Sequence, residues 1–130
     1  MDLKKIAAIS GKPGLFKVFK PARTGVILES LDEKKLKTVA SLNHKVSMLS
    51  EISVYTNTKE GSIALTDIFI KIKEKYNGAL TVDVSNNATL LKFIEEVLPE
   101  YDKTKVYPSD IKKMVNWYNI LFKQMPELFN

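Results

Sequence analysis

The hydrophobic pattern of this 130-residue chain changes its period near the middle. Up to Thr56, short runs rich in β-branched and aromatic residues are separated by turn-forming residues. After Gly61, apolar residues recur instead every three or four positions. Because a period of two is typical of strands and a period of 3.6 of helices, the pattern predicts a β half followed by an α half.

The first half contains five short runs with strand character. We predict strands at residues 15–20, 26–31, 37–41, 46–49 and 52–56. The first two form a hairpin, because a connection rich in Pro and Gly separates them. Strands of this length cannot build a large sandwich, and they favour a small SH3-like β-barrel over residues 1–62.

The second half contains three amphipathic segments. We predict helices over residues 65–76, 87–98 and 108–125. Ser62 or Thr66 is the expected cap of the first helix, and Asn87 that of the second. The fold class is therefore α+β, with residues 63–130 forming a helical domain. Because no flexible linker separates the halves, we expect the barrel to pack on the three-helix unit.

The chain lacks the residues that several kinds of catalytic or metal site require. The chain has no cysteine, which excludes a disulfide framework, a thiol nucleophile and a cysteine-based zinc site. The single histidine, His44, has no second histidine or cysteine with which to complete a metal site. The Gly11–Gly14 segment is not a phosphate loop, because Pro13 lacks an N–H and a strand-like run follows. We predict no catalytic residue, no metal and no cofactor.

The chain shows no sign of membrane targeting. No stretch approaches the roughly 20 apolar residues of a membrane span. The amino terminus, residues 1–9, carries two lysines and only a short apolar run, which the Gly11–Gly14 segment ends before a signal-peptide core could form. We therefore expect a cytoplasmic protein without a membrane partner.

Cationic residues concentrate in the first half. Residues 1–62 carry eleven Lys and Arg against six Asp and Glu, whereas residues 63–130 carry nine of each kind. An excess of one sign attracts polyanions and acidic partners. We therefore predict a non-enzymatic binding module for nucleic acid, a ribonucleoprotein or an acidic protein. The residues expected to make the contacts are Lys12, Lys17, Lys20, Arg23 and Lys37.

Two questions about this prediction stay open at the level of sequence. The lysines could simply keep a small domain soluble. Nucleic-acid binding also needs exposed aromatic rings, for which Phe16, Phe19 and Tyr55 are the candidates. Strand alternation places Phe16 and Phe19 on opposite faces, so some of these rings fill the core. Whether the cations share one face depends on strand register.

Two apolar residues of the third predicted helix lie outside its main apolar stripe. Trp117 lies at the edge of that stripe, and Ile120 lies off it. Both are expected either to be buried under the barrel or to contact another protein. The alternative function is therefore a protein–protein adaptor or a homo-oligomer that uses the helical half.

Several segments together form a family signature. They are Ile9–Leu15, Val26–Leu31, Val97–Asp102, Val106–Lys113 and Trp117–Asn119. In these segments the chain resembles a family of small uncharacterised bacterial proteins that carry a domain of unknown function. The resemblance covers nearly the whole chain. It implies a bacterial cytoplasmic protein with an amino-terminal β part and a carboxy-terminal helical part, and it assigns no functional residue.

Overall fold

The computed structural model describes residues 1–12, 14–23, 25–41 and 45–129. These residues form seven strands, three α-helices and two short 3-10 turns. The strands are β1 (Ile6–Ile9), β2 (Phe16–Ala22), β3 (Gly25–Ser30), β4 (Lys37–Ser41), β5 (Val46–Met48), β6 (Ser53–Tyr55) and β7 (Ser62–Ala64). The helices are α1 (Leu65–Tyr76), α2 (Asn87–Val97) and α3 (Pro108–Gln124), and the 3-10 turns are Leu49–Glu51 and Pro126–Phe129. The predicted α+β class and the three predicted helices are confirmed.

Five strands form one antiparallel sheet in the order β4-β3-β2-β1-β5. The first four form a meander, and β5 returns to the free side of β1. Among the described residues, the two edge strands β4 and β5 are not paired with each other. The sheet is therefore open, and the closed SH3-like barrel expected from the sequence is not confirmed.

Two features of the β half differ from the sequence prediction. The strand β1 was not expected, because its run Ile-Ala-Ala-Ile is apolar throughout and shows no period of two. It pairs with β2 on one side and β5 on the other, and Ile6, Ala7 and Ile9 are buried. The predicted strand 52–56 does not join this sheet. Its central residues form β6, which pairs with β7 in a separate hairpin.

This β6–β7 hairpin is connected to the chain between α2 and α3. The backbone N–H of Asn57 donates to the carbonyl of Glu100 at 2.7 Å, and that of Asp102 donates to the carbonyl of Tyr55 at 3.0 Å. Thr56 and Tyr101 form an isolated antiparallel bridge between the same segments. The hairpin is therefore held by the helical half.

The large sheet contacts two separate apolar clusters. The smaller lies on one face of the sheet, and its buried members are Ile9, Phe16, Leu28 and Ala40. The larger contains the buried stripes of all three helices together with Leu3, Ile6 and Leu15 from the amino-terminal part. The helices thus cover only the part of the opposite sheet face that carries Ile6 and Leu15.

The amino-terminal caps of α1 and α2 differ from those predicted from the sequence. Asn86, rather than Asn87, caps α2, and its side chain accepts the backbone N–H of Thr89 at 3.2 Å. Helix α1 follows Ala64 without a side-chain cap, so the caps predicted at Ser62 or Thr66 are wrong. There β7 leads directly into the helix.

Tyr118 lies at the centre of the helical core and has no exposed surface. Its ring centroid lies 5.9 Å from that of Phe69, 6.0 Å from that of Phe122 and 5.2 Å from that of Phe129. Its hydroxyl donates to the carbonyl of Gly78 at 3.1 Å. Burial raises the pKa of Tyr118, so the phenol stays a donor. This side chain joins α1, α3 and the carboxy-terminal turn.

The connector 79–85 between α1 and α2 is not a strand. Instead, one side chain fixes it to α3. The Oδ1 atom of Asn119 accepts the N–H of Leu80 at 2.7 Å, and its Nδ2 atom donates to the carbonyl of Leu80 at 3.0 Å. A side-chain amide thus satisfies both backbone groups of one residue, as a neighbouring strand would.

Candidate functional site

The predicted cationic residues occupy three positions around the large sheet. Lys17 and Lys20 lie in β2, and Lys37 begins β4. Lys12 lies in the turn before β2, whereas Arg23 lies in the turn after it. Lys12 and Arg23 are therefore at opposite ends of β2, and only the three strand lysines are candidates for one shared surface.

Strand register places these three lysines on one face. In β3, Glu29 is directly opposite both Lys17 and Lys37. The next row on the same face pairs Ile27 of β3 with Lys20 and with Val39. Directly paired residues point to the same side of a sheet, and so do residues two apart in one strand. We call this surface, formed by Lys17, Phe19, Lys20, Ile27, Glu29, Lys37 and Val39, the basic face.

The basic face includes an exposed aromatic ring. The register of β2 against β3 shifts between Val18 and Lys20, which leaves Phe19 as the extra residue of a bulge. Phe19 is 51% exposed, and the Nζ atom of Lys37 lies 4.4 Å from its ring centroid. Phe16, by contrast, is buried in the smaller cluster. The ring on the same face as the lysines is therefore the accessible one.

The lysines of the basic face are available for binding. Of the residues that the structure describes, the ion pair within 4.0 Å joins Lys123 to Glu33 at 3.2 Å and does not involve this face. Glu29 is half-buried between its two lysine neighbours and reduces their excess of charge. Ile6 of β1 is paired with Lys17 on the same face of the sheet, but Ile6 is buried under the helices. The basic face therefore begins next to the part of the sheet that the helices cover.

A second candidate site is a cleft of about 660 Å³ between the large sheet, β6 and α3. We call it the central cleft. Strands β1, β5 and β6 line it on one side, and six residues of α3 line it on the other. Four of these six, Asp110, Lys113, Trp117 and Ile120, recur every three or four positions on one helix face.

The structure therefore places both residues of the predicted partner contact in this cleft. Trp117 and Ile120 are half-buried and pack against the larger apolar cluster. Trp117 lines the cleft, and Ile120 lines both the cleft and a neighbouring groove. A subunit or adaptor contact through them stays a prediction.

Sequence reasoning did not single out three of the four lysines that line the central cleft. The four are Lys12, Lys45, Lys105 and Lys113. They come from separate segments, so no local spacing connects them. The signal that was present is the period of α3, in which Lys113 and Trp117 are four residues apart on one face.

The turn 102–106 holds Lys105 at the cleft. The Oδ1 atom of Asp102 accepts the N–H of Thr104 at 2.9 Å and its hydroxyl at 2.6 Å. The hydroxyl bond, supported by the backbone bond, lowers the pKa of Asp102. The Nζ atom of Lys105 lies 5.0 Å from the ring centroid of Tyr55. Tyr55, the third aromatic candidate, is 55% exposed and lines the cleft, not the basic face.

Two residues discussed from the sequence, His44 and Pro13, lie outside the residues that the structure describes. The described part of the Gly11–Gly14 segment agrees with a turn. Gly11 and Gly14 have φ angles of 83° and 82°, in the left-handed region that glycine adopts without strain.

Residues 52–121 match a family model described as a domain of unknown function, DUF6852. The chain belongs to this family. Residues 3–49 match a model for a second domain of unknown function, DUF5606. The resemblance to a family without assigned function is thereby confirmed. The two models meet between residues 49 and 52, and the domain division at residue 62 stays a prediction.

A solution NMR structure of a protein from Bacteroides vulgatus is similar to this chain. The two are 35% identical, with 95% of this chain and 87% of the other covered and a TM-score of 0.77. No curated protein matches the chain. Of the helices described here, none is long and apolar enough to span a membrane.

Proposed function

We propose that this protein is a cytoplasmic, non-enzymatic binding module that holds single-stranded nucleic acid, alone or within a ribonucleoprotein, on its basic face. The supporting observation is the position of Phe19, an exposed ring among three lysines on one side of the sheet. Single-strand binders combine cations that contact phosphates with rings on which bases stack. Both kinds of group are present here within two strand rows.

The shape and charge of the face favour a single strand bound without sequence preference. A ring face accepts any base, because every base has a π face. Lysine contacts a phosphate as a point charge and sets little geometry. Glu29 between Lys17 and Lys37 limits the net charge of the face, so we expect modest affinity with strong salt dependence.

The proposal includes a curved amino-terminal sheet that carries the basic face on its outer side. The meander β1–β4, with β5 returning to β1, is the strand order of a five-stranded barrel that is open between β4 and β5. An SH3-like barrel therefore remains the proposed architecture of the amino-terminal sheet. The bulge at Phe19 supports it, because bulges increase local twist and bend the strand.

Salt dependence tests the proposal directly. The affinity of the full chain for a fluorescein-labelled twelve-nucleotide oligouridylate is measured by anisotropy at 50 and 200 mM salt. Three phosphate contacts on a single strand predict a log–log slope of about −2, or roughly 20-fold weaker binding at the higher salt. No binding at 50 mM salt, or binding unaffected by salt, would overturn the proposal.

A competition arm distinguishes an acidic protein from a nucleic acid. Poly-L-glutamate carries the charge but no bases, so it should displace the oligonucleotide only at much higher charge concentration. Equal displacement would instead indicate an acidic polypeptide as the partner of this face and contradict the nucleic-acid proposal.

Phe19→Ala should weaken oligonucleotide binding about tenfold, because base stacking on an aromatic ring contributes about 1–3 kcal/mol. The salt slope should not change, since no phosphate contact is lost. Tyr107→Ala is the control, because it removes a 58% exposed ring from the helical half. Equal effects of the two substitutions, or a Phe19→Ala protein with unchanged affinity, would count against stacking.

A further inference from the structure

The central cleft has the size and location of a ligand site. Its volume of about 660 Å³ lies within the range of roughly 300–1,000 Å³ that is typical of sites for small organic molecules. Its lining comes from both matched segments, residues 3–49 and 52–121, and interfaces between domains are preferred positions for ligands. The basic face shares no residue with it.

The floor of the cleft is apolar and includes a large flat ring. Val54, Leu65 and Met114 are buried there, and Ile52 and Trp117 are half-buried. The exposed part of an indole ring prefers contact with another ring or an apolar surface to contact with water. The floor therefore favours a ligand with a flat, largely apolar part.

The walls of the cleft are cationic. Lys12, Lys45, Lys105 and Lys113 line it, and all four are exposed. The acidic residue among the described lining residues is Asp110, and its carboxylate accepts the backbone N–H of Tyr107 at 3.0 Å. Four lysines against one carboxylate produce a positive potential above an apolar floor.

We propose that the central cleft binds a small anion that carries a flat ring system, the chemistry shared by nucleotides and aromatic carboxylates. The ring lies on the floor beside Trp117, and the anionic group contacts Lys105 and Lys113 at the wall. Lys113 lies on α3 four residues before Trp117, and Lys105 lies in the turn before α3 with its Nζ atom 5.0 Å from the ring centroid of Tyr55. This site is independent of the basic face and works through different residues.

Trp117 reports on the site, because it is the one tryptophan of the chain. Its fluorescence is followed while the full-length protein is titrated with adenosine 5′-monophosphate or with 1-naphthoate. Adenosine and naphthalene-1-methanol serve as uncharged counterparts with the same rings. We expect a saturable change with at least one anion, and at least tenfold weaker binding of its uncharged counterpart.

Matched variants locate the response. Lys105→Ala combined with Lys113→Ala should weaken binding of the anion about tenfold, since two contacts with it are lost. Lys71→Ala combined with Lys92→Ala removes the same charge from exposed positions outside the cleft and should have no effect. Lys17→Ala combined with Lys20→Ala should also have no effect, which separates this site from the proposed nucleic-acid surface.

The titrations with the two anions distinguish a nucleotide from an aromatic carboxylate as the ligand. A response to adenosine 5′-monophosphate alone supports the proposal with a nucleotide as the ligand, and a response to 1-naphthoate alone supports it with an aromatic carboxylate. Three results would overturn it. They are no change of Trp117 fluorescence with either anion, equal affinity for the uncharged counterparts, and unchanged affinity of the Lys105 and Lys113 variant.

Discussion

Simultaneous replacement of Lys17, Lys20 and Lys37 by alanine is expected to weaken binding of the twelve-nucleotide strand about 100-fold at 0.1 M salt. Each phosphate contact on a single strand contributes about 0.7 to the log–log salt slope, which corresponds to roughly fivefold in affinity at this salt concentration. The loss of three contacts, each contributing roughly fivefold in affinity, gives the expected effect of about 100-fold. The salt slope should also fall from about −2 towards zero, and anisotropy titrations at four salt concentrations measure both quantities.

The matched control removes the same formal charge elsewhere. Lys71, Lys92 and Lys112 are exposed on the helices, and none of them lines the central cleft. Their combined replacement by alanine should change affinity less than threefold, because the long-range field of an exposed charge is screened beyond about 10 Å at 0.1 M salt. Equal losses in the two triple variants would mean that net charge alone drives binding. No loss in the first would exclude the basic face.

Tyr118→Ala should lower the free energy of unfolding by about 3–5 kcal/mol, the range seen when a large buried ring is truncated. The substitution removes contacts with three other rings and leaves the carbonyl of Gly78 without its donor. A loss of this size is a large part of the stability of a small domain. Urea unfolding followed by circular dichroism measures it.

Tyr118→Phe separates the ring from the hydroxyl. It keeps the packing and loses one hydrogen bond, so we expect a cost of about 1 kcal/mol. Because burial raises the pKa of Tyr118 above its ordinary value of 10.0, the contribution of this phenol to wild-type stability should be full below pH 10 and fall above it. The phenylalanine variant lacks this contribution. A Tyr118→Ala protein destabilised no more than Tyr118→Phe would contradict the central role of the ring.

The helices were predictable from the sequence because each signal was local. The period of the apolar residues and the stops at Asn77, Pro99 and Pro126 lie within the segments that they define. The strand β1 was missed for the opposite reason. Ile6 on one face of β1 lies in the larger cluster and Ile9 on the other face lies in the smaller cluster, so both faces are covered. The strand is therefore apolar throughout and lacks the alternation that marks a strand with one exposed face.

The candidate sites depended on contacts between distant segments. Alternation within β2 correctly separated Phe16 from Phe19. It could not show that Lys37 joins the face of Lys17, because that depends on the pairing of both strands with Glu29. The central cleft was still less accessible to sequence reasoning, since its lysines come from three separate loop segments and from α3.

The hydrogen bonds that connect the β6–β7 hairpin to residues 100–102 have a consequence for the path of the chain. They anchor the chain to the helical half at Tyr55 and Asn57, before the first helix begins. The covalent crossing from the amino-terminal sheet to the helical half is therefore the short 3-10 turn Leu49–Glu51, and Leu49 is buried in the cluster that both halves share.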